Sequence, residues 1–324
     1  MERMGLRMNY VERRLEELGR YRPELTAPSD LDAFWERTLG EASMRPMNAS
    51  REKVAGWSPH AAVHKVIFEG FDATPIHGWY LVPAFAGEEK LPCAVIFHGY
   101  QGSKGYPEQY ANWLLLGYAV FAIDVRGQGG ETGNLLAQSY GMAKGWMSQG
   151  LLDPDTHYYR AITVDALKAV EWAASQPEID PARIVTVGAS QGGGLALMTA
   201  ALSDIPCRTV ADIPNMCHMD FGILNSTGSL TEAAEFVQKF PQHLERVLKT
   251  LSYFDLLNLC DRIRTPVFVS VGLKDTVCMP ETIFAVYNRI AAPKRLQAYP
   301  FNGHFTSGDH FARVANFLQE PIAP

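Results

Sequence analysis

From residue 91 onward the chain alternates between short apolar runs and helix-forming stretches, and few folds can bury such a pattern. The runs are LPCAVIFHGY, YAVFAIDVRG, RIVTVGAS, TPVFVSVGLKD and RLQAYPFNGH, each reaching Gly, Asp or His near its end. Between them lie QYANWLLLGY, HYYRAITVDALKAVEWAASQ, GGGLALMTAAL and PETIFAVYNRIAA. Strands that are apolar on both sides need helices on both faces of a parallel sheet, which predicts an α/β fold. Ligands of such sheets bind outside the carboxyl ends of the strands, where the polar residues of these runs collect.

The flanking regions read differently. Residues 9–20 and LDAFWERTLGEA, after a Pro28-Ser29-Asp30 cap, read as amphipathic helices of an N-terminal extension covering residues 1–60. AVHKVIFEG and IHGWYLVPA alternate as the strands of an antiparallel hairpin. Residues 217–260 contain no clear strand and read as a helical insertion before the next strand, either a lid over a site or plain structural helices. The 324 residues are 47% hydrophobic, enough for one large core and read as one domain over 1–324.

Composition excludes several functions. The net charge is −6 and positive residues are scattered, so no nucleic-acid face is expected. Glu12, Arg13, Arg14, Arg20 and Arg22 read as a solvated helix face. No apolar run approaches membrane-spanning length, and the charged N-terminus has no signal-like apolar segment. The five cysteines, Cys93, Cys207, Cys217, Cys260 and Cys278, are odd in number and form no C-x-x-C pair. That argues against a disulfide framework or a zinc site and favours the reducing cytoplasm; Cys207 and Cys217 are the pair that export would oxidise.

The chemistry centres on IVTVGASQGGGLALMTAAL. Gly188-Ala189-Ser190-Gln191-Gly192 is a G-x-S-x-G between a strand and a helix, the setting of a nucleophile elbow. The tight turn demands small neighbours and lifts the Ser190 hydroxyl into the open at a helix N-terminus. A serine needs a base, and in this arrangement acid and base follow in the order Ser, Asp, His. Asp275 follows VFVSVGLK and His304 follows LQAYPFNG, so these are the expected acid and base. Asp212, Asp220 and Asp261 are set aside as not following a strand in that half, and Asp309 and His310 read as caps of the last helix. The backbone N–H groups of Gln191 and Tyr100 are the expected oxyanion donors, with the Tyr100 ring walling an acyl pocket. Arg126, in the Gly-rich AIDVRGQGGETG, reads as a brace between site loops rather than an anion ligand.

With Arg126-Gly127-Gln128 and Gly188-Ala189-Ser190-Gln191-Gly192-Gly193, the chain resembles the acetyl xylan esterase and cephalosporin C deacetylase family, the seventh carbohydrate esterase family. DLDAFWERTL, LLDPDTHYYR, TLSYFD and VGLKDTVCMP are also family-like, and the resemblance spans about residues 28–318. It implies an α/β-hydrolase fold, a Ser190–Asp275–His304 triad, Tyr100 and Gln191 as oxyanion donors, and no metal or organic cofactor. It also implies deacetylation of short xylo-oligosaccharides and of cephalosporin C, and an intracellular homohexamer built as a trimer of dimers, with 131–150 as the interface loop. The chain departs from the family in carrying His304-Phe305 where the family has His-Glu, which bears on loop packing and assembly. The residues preceding the helices have no clear counterpart, and Met4 and Met8 are alternative starts.

Two other functions are compatible with an elbow serine. A prolyl oligopeptidase-like peptidase would carry a β-propeller, for which the roughly ninety residues before the sheet are too few. A non-catalytic binding protein of hydrolase fold would usually lack one of the three triad residues. An Asp or Cys at the elbow would have meant dehalogenase-, epoxide- or dienelactone-type chemistry.

Overall fold

The computed structural model describes residues 9–321 apart from 86, 88 and 141–143. Met4, Met8 and part of the 131–150 stretch lie outside the described residues. The strands are β1 (Ser50–Val54), β2 (Ala61–Glu69), β3 (Pro75–Pro83), β4 (Leu91–Phe97), β5 (Ala119–Ile123), β6 (Ile179–Ala189), β7 (Pro206–Asp212), β8 (Val267–Gly272) and β9 (Lys294–Tyr299). The helices are α1 (Tyr10–Gly19), α2 (Leu31–Met44), α3 (Ala111–Leu115), α4 (Tyr158–Ala174), α5 (Gln191–Leu202), α6 (Met219–Asn225), α7 (Thr231–Lys239), α8 (Leu244–Ser252), α9 (Pro280–Tyr287) and α10 (His310–Gln319).

The strands form one sheet in the order β1-β2-β3-β5-β4-β6-β7-β8-β9. The pairings from β1 through β3 to β5 are antiparallel, and those from β5 onward are parallel. Alternation sorts the side chains. Ala119, Phe121 and Ile123 of β5 join the core beneath α4, α5 and α9, while Val120 and Ala122 join the opposite core with Trp113 of α3 and Phe317 of α10. Helices therefore cover both faces, as the uninterrupted apolar strands require.

The N-terminal helices add an outer layer on one side. Helix α4 is buried around most of its circumference, and its polar residues find partners there. Arg160 donates to Thr38 (3.0 Å) and Glu41 (2.6 Å), and Lys168 donates to the Arg45 carbonyl (2.9 Å). Helix α1 opens on a reciprocal capping box between Asn9 and Glu12. Asp30 stands at the start of α2 but caps nothing; its carboxylate accepts the Tyr253 hydroxyl at 2.6 Å, tying the extension to the insertion.

Three features differ from the expectation. Residues 50–54, inside the stretch read as a helical extension, form the polar edge strand β1, whose pairing with β2 supplies what its sequence, SREKV, does not advertise. PCRTVAD forms β7, paired on both sides; its Pro, Cys and Arg hide a strand pattern. In QYANWLLLGY the helix is confined to α3, after a 3₁₀ turn at Pro107–Tyr110. Within 217–260 the elements are α6, α7, α8 and 3₁₀ turns, without a strand.

Trp35 joins extension and insertion. It is fully buried, donates from Nε1 to the Tyr253 carbonyl at 3.0 Å and meets Phe254 edge-on at 5.9 Å. Trp35→Ala is expected to lower the unfolding free energy by about 3–5 kcal/mol. Trp35→Phe keeps most packing but strands a buried carbonyl, for a loss of about 1–3 kcal/mol. Urea denaturation of both variants checks the ordering.

Candidate active site

Strand β6 ends at Ala189, α5 begins at Gln191, and Ser190 alone makes the join with φ 56° and ψ −121°. A non-glycine residue at positive φ is strained by about 1–3 kcal/mol. The turn is held at both ends of the residue: Ser190 N–H donates to the Asp212 carbonyl (2.9 Å), and its own carbonyl accepts from Gly194 (3.0 Å) and Asn215 (2.9 Å). Clearance explains the small neighbours. A Cβ on Gly188 would lie 2.2 Å from the Gly192 carbonyl carbon, and one on Gly192 would lie 2.0 Å from the Phe97 carbonyl oxygen.

Three sequence-nominated residues meet above this turn. His304 Nε2 lies 3.0 Å from Ser190 Oγ, and His304 Nδ1 lies 2.8 Å from Asp275 Oδ2. Asp275 is buried, and its other oxygen accepts the N–H groups of Val277 (2.8 Å) and Cys278 (3.0 Å), which fixes the carboxylate's orientation. The imidazole is partly open to solvent. Cys278 Sγ lies 4.0 Å from Ser190 Oγ, but burial, reinforced by the Asp275 charge, pushes its thiol pKa up, so it stays protonated and does not compete as a nucleophile.

The rivals take other places. Asp212 does close a strand, β7, contrary to the sequence reading, yet its carboxylate faces His310. Asp309 does not cap α10; it pairs with Arg313 at 2.6 Å, while His310 turns inward. Asp220 lies 3.2 Å from His218, and Asp261 is exposed.

Tyr100 and Gln191 flank the serine, and among the described residues neither backbone N–H donates to a protein group. Gly99, Tyr100, Gln101, Ser190, His304 and Asn215, with Gly228, Ser229 and Val277, enclose a cleft of about 400 Å³. The Tyr100 hydroxyl donates to Glu232 of α7 (2.7 Å) and accepts from the backbone of Trp146 (3.0 Å) and Met147 (3.1 Å). The insertion thus holds the loop that carries Tyr100, and burial raises the Glu232 pKa above the ordinary value. Asn215, Ser229 and Glu232 were not nominated from the sequence; each sits in an irregular or helical stretch with no motif around it.

Behind the cleft, Arg126 is wholly buried. It donates to Asp165 through Nε (2.6 Å) and Nη2 (2.8 Å), and to Asp72 (3.0 Å) and Thr74 (3.2 Å) through Nη1. Burial works against a charged Asp72, yet Arg126 and Thr74 hold its pKa below the usual carboxylate value. Gly127 has φ +73°, and a Cβ there would lie 2.8 Å from the Trp146 indole nitrogen. Gln128 donates to Gln191 (2.9 Å) and Tyr158 (2.9 Å) and accepts from the Gln101 N–H (2.8 Å). The Gln191 side chain therefore faces inward and leaves only its backbone for the cleft. His98 completes the support: Nε2 accepts from Val125 (2.9 Å), Nδ1 donates to the Gly99 carbonyl (2.7 Å), and burial lowers its pKa and keeps it neutral.

Arg126→Ala leaves Asp165 buried and unpaired and is expected to destabilise by about 3–5 kcal/mol. Arg126→Lys replaces the two-sided fork with a point charge and should recover only part of that loss. Chemical denaturation of both variants, beside the activity of the folded fraction, provides the measurement.

Comparison with known proteins places this geometry. A model of the acetyl xylan esterase family (AXE1) matches residues 8–320. The acetyl esterase Axe7A of Xylanibacter ruminicola is 28% identical over 295 residues, which cover 89% of this chain and 66% of that protein. The chain therefore spans about two thirds of that relative's length. The acetyl xylan esterase of Paenibacillus sp. R4 superposes with a TM-score of 0.91 at 36% identity, over 94% of this chain and 98% of that one. Acetyl xylan esterase 1 of Thermoanaerobacterium sp. JW/SL YS485 superposes with a TM-score of 0.88 at 30% identity, over 94% and 97%. Both the fold and the family are those of carboxylic ester hydrolases. An α/β-hydrolase sheet with an elbow serine at its centre, matched along nearly its whole length, makes this chain a member of the acetyl xylan esterase family.

Proposed function

We propose that the protein is a serine carboxylesterase that removes acetyl groups from small acetylated sugars, acetylated xylo-oligosaccharides first among them, and from acetate esters of the cephalosporin C type. The observation that carries this reading is the relay in which Ser190 Oγ lies 3.0 Å from a histidine held 2.8 Å from a buried aspartate. His304 accepts the Ser190 proton as Oγ bonds to the acetyl carbon, and the carbonyl electrons move onto oxygen. The Tyr100 and Gln191 N–H groups receive that oxyanion. His304 then protonates the leaving sugar oxygen, and the C–O bond breaks to leave acetyl-Ser190. Water repeats the sequence, losing a proton to His304 and releasing acetate. Asp275 orients the imidazole and stabilises its cation without itself taking the proton.

The cleft suits this substrate class. Glycines 99 and 228 leave space for a small acyl group, while Asn215, Ser229 and Gln101 present polar atoms to a hydroxyl-rich alcohol. Ser190→Ala is expected to abolish turnover of 4-nitrophenyl acetate while leaving circular dichroism unchanged; turnover near the wild-type rate would refute the nucleophile assignment. In the same assay, rates should fall steeply once the acyl chain exceeds about three carbons, as the family resemblance implies. Comparable rates on octanoate esters would mean an open, lipase-like site.

We further propose a homohexameric, reducing-compartment enzyme. Exposed Leu135 and Tyr140 in the 131–150 stretch suit an interface between copies, and all five cysteines are free thiols. Size-exclusion chromatography with light scattering is expected to give six times the chain mass of 35.9 kDa, and a monomer would overturn the assembly.

A further inference from the structure

Asp212 and His310, rivals for the triad when only sequence is considered, meet each other beneath the nucleophile. His310 Nε2 lies 2.7 Å from Asp212 Oδ1, although its N–H does not point straight at that oxygen. The Tyr299 hydroxyl lies 2.7 Å from His310 Nδ1, and Ser270 Oγ donates to Asp212 Oδ1 at 2.8 Å. Asp212 closes β7, Ser270 lies in β8, Tyr299 closes β9 and His310 opens α10, so four elements converge on one buried polar cluster. The ring of His310 also packs on Phe268, with centroids 5.8 Å apart.

Two connections give this cluster a bearing on the site. Asp212 is the residue whose carbonyl accepts the Ser190 N–H at 2.9 Å, so the residue in contact with His310 also holds the strained turn. Tyr299 and His310 bracket residues 300–309, the loop that carries His304. That loop is short of apolar anchors, since both Phe301 and Phe305 point to solvent. The backbone bond from Lys274 to Asn302 (3.0 Å) restrains its first half. Its second half ends on His310.

We propose that His310 is a positioning residue: with Asp212 and Tyr299 it clamps the base-bearing loop to the strand end that pins the nucleophile, and so sets the separation of His304 from Ser190. This rests on the esterase reading above. His310 does not line the cleft and touches no substrate. Its effect falls on proton transfer, which loses rate steeply when reacting groups drift by fractions of an ångström.

The test compares wild type, His310→Phe, His310→Gln and Tyr299→Phe on 4-nitrophenyl acetate, with melting temperature measured for each. Phenylalanine keeps the ring against Phe268 and removes both nitrogens; glutamine restores a donor toward Asp212. His310→Phe is expected to lose about tenfold in kcat with KM within about twofold. His310→Gln should recover most of that loss, and Tyr299→Phe should lose a smaller amount. A purely structural role would lower the melting temperature of His310→Phe and leave kcat of the folded protein unchanged, which would overturn the proposal. A glutamine variant no better than phenylalanine, or a loss confined to KM, would overturn it as well. Should His310→Phe not fold, an unchanged kcat in Tyr299→Phe would overturn it and a reduced kcat at unchanged KM would support it. A wild-type protein inactive on every acetate ester would instead sink the esterase reading itself, and this inference with it.

Discussion

Ser190 occupies a backbone conformation that side-chain-bearing residues avoid, and the surrounding sheet exists in the form it does partly to keep it there. The strain is offset by hydrogen bonds to both of its backbone groups and by the close approach of α5 to β4 and β6. That approach works only because Gly188 and Gly192 have no Cβ; the pairing of Phe97 with Gly188 puts a β4 carbonyl where the Gly192 side chain would be. The result is a hydroxyl raised above the strand ends on a turn that cannot relax. As the proposed nucleophile, a hydroxyl so presented loses little entropy on reaction, because its geometry is already set by folding.

Around that turn, the loops at the strand ends are held by charges taken out of water. Arg126 bridges Asp165 of α4 and Asp72 of the β2–β3 connection, with both of its faces used. A second buried group, Lys104, reaches Asp124 and Glu131 at 2.7 Å each and ties the Tyr100 loop to the Gly-rich loop. Buried ion pairs contribute little net stability, because desolvation cancels most of the attraction. They do penalise any arrangement in which one partner is unpaired. Loops built on them have one low-energy placement, which a cleft assembled from six separate segments requires.

The legible parts of this molecule were those with short-range signals. The strand–turn–helix around Ser190 announces itself because strain dictates glycine at two fixed offsets. Asp275 and His304 could be named because each follows an apolar run. Strand β7 was missed because Pro206, Cys207, Arg208 and Asp212 dilute its apolar pattern, and with it went the reason to look at Asp212. Strand β1 was missed because an exposed edge strand draws its order from its neighbour's backbone, which no residue in SREKV records. The link between Tyr100 and Glu232 spans 132 positions and leaves no local trace.

Sequence alone determined that the chain would build a parallel sheet clothed by helices, that a strained turn would lift Ser190, and which histidine and aspartate stood in line to serve it. Periodicity and steric demand are properties of neighbouring residues, so they survive in a one-dimensional string. Tertiary structure alone decided that His310 would face Asp212, that the insertion would grip Tyr100, and that Arg126 would set its guanidinium against two carboxylates and the Thr74 hydroxyl. Those are contacts between segments far apart in the chain, selected by which groups burial leaves without water and within reach of one another.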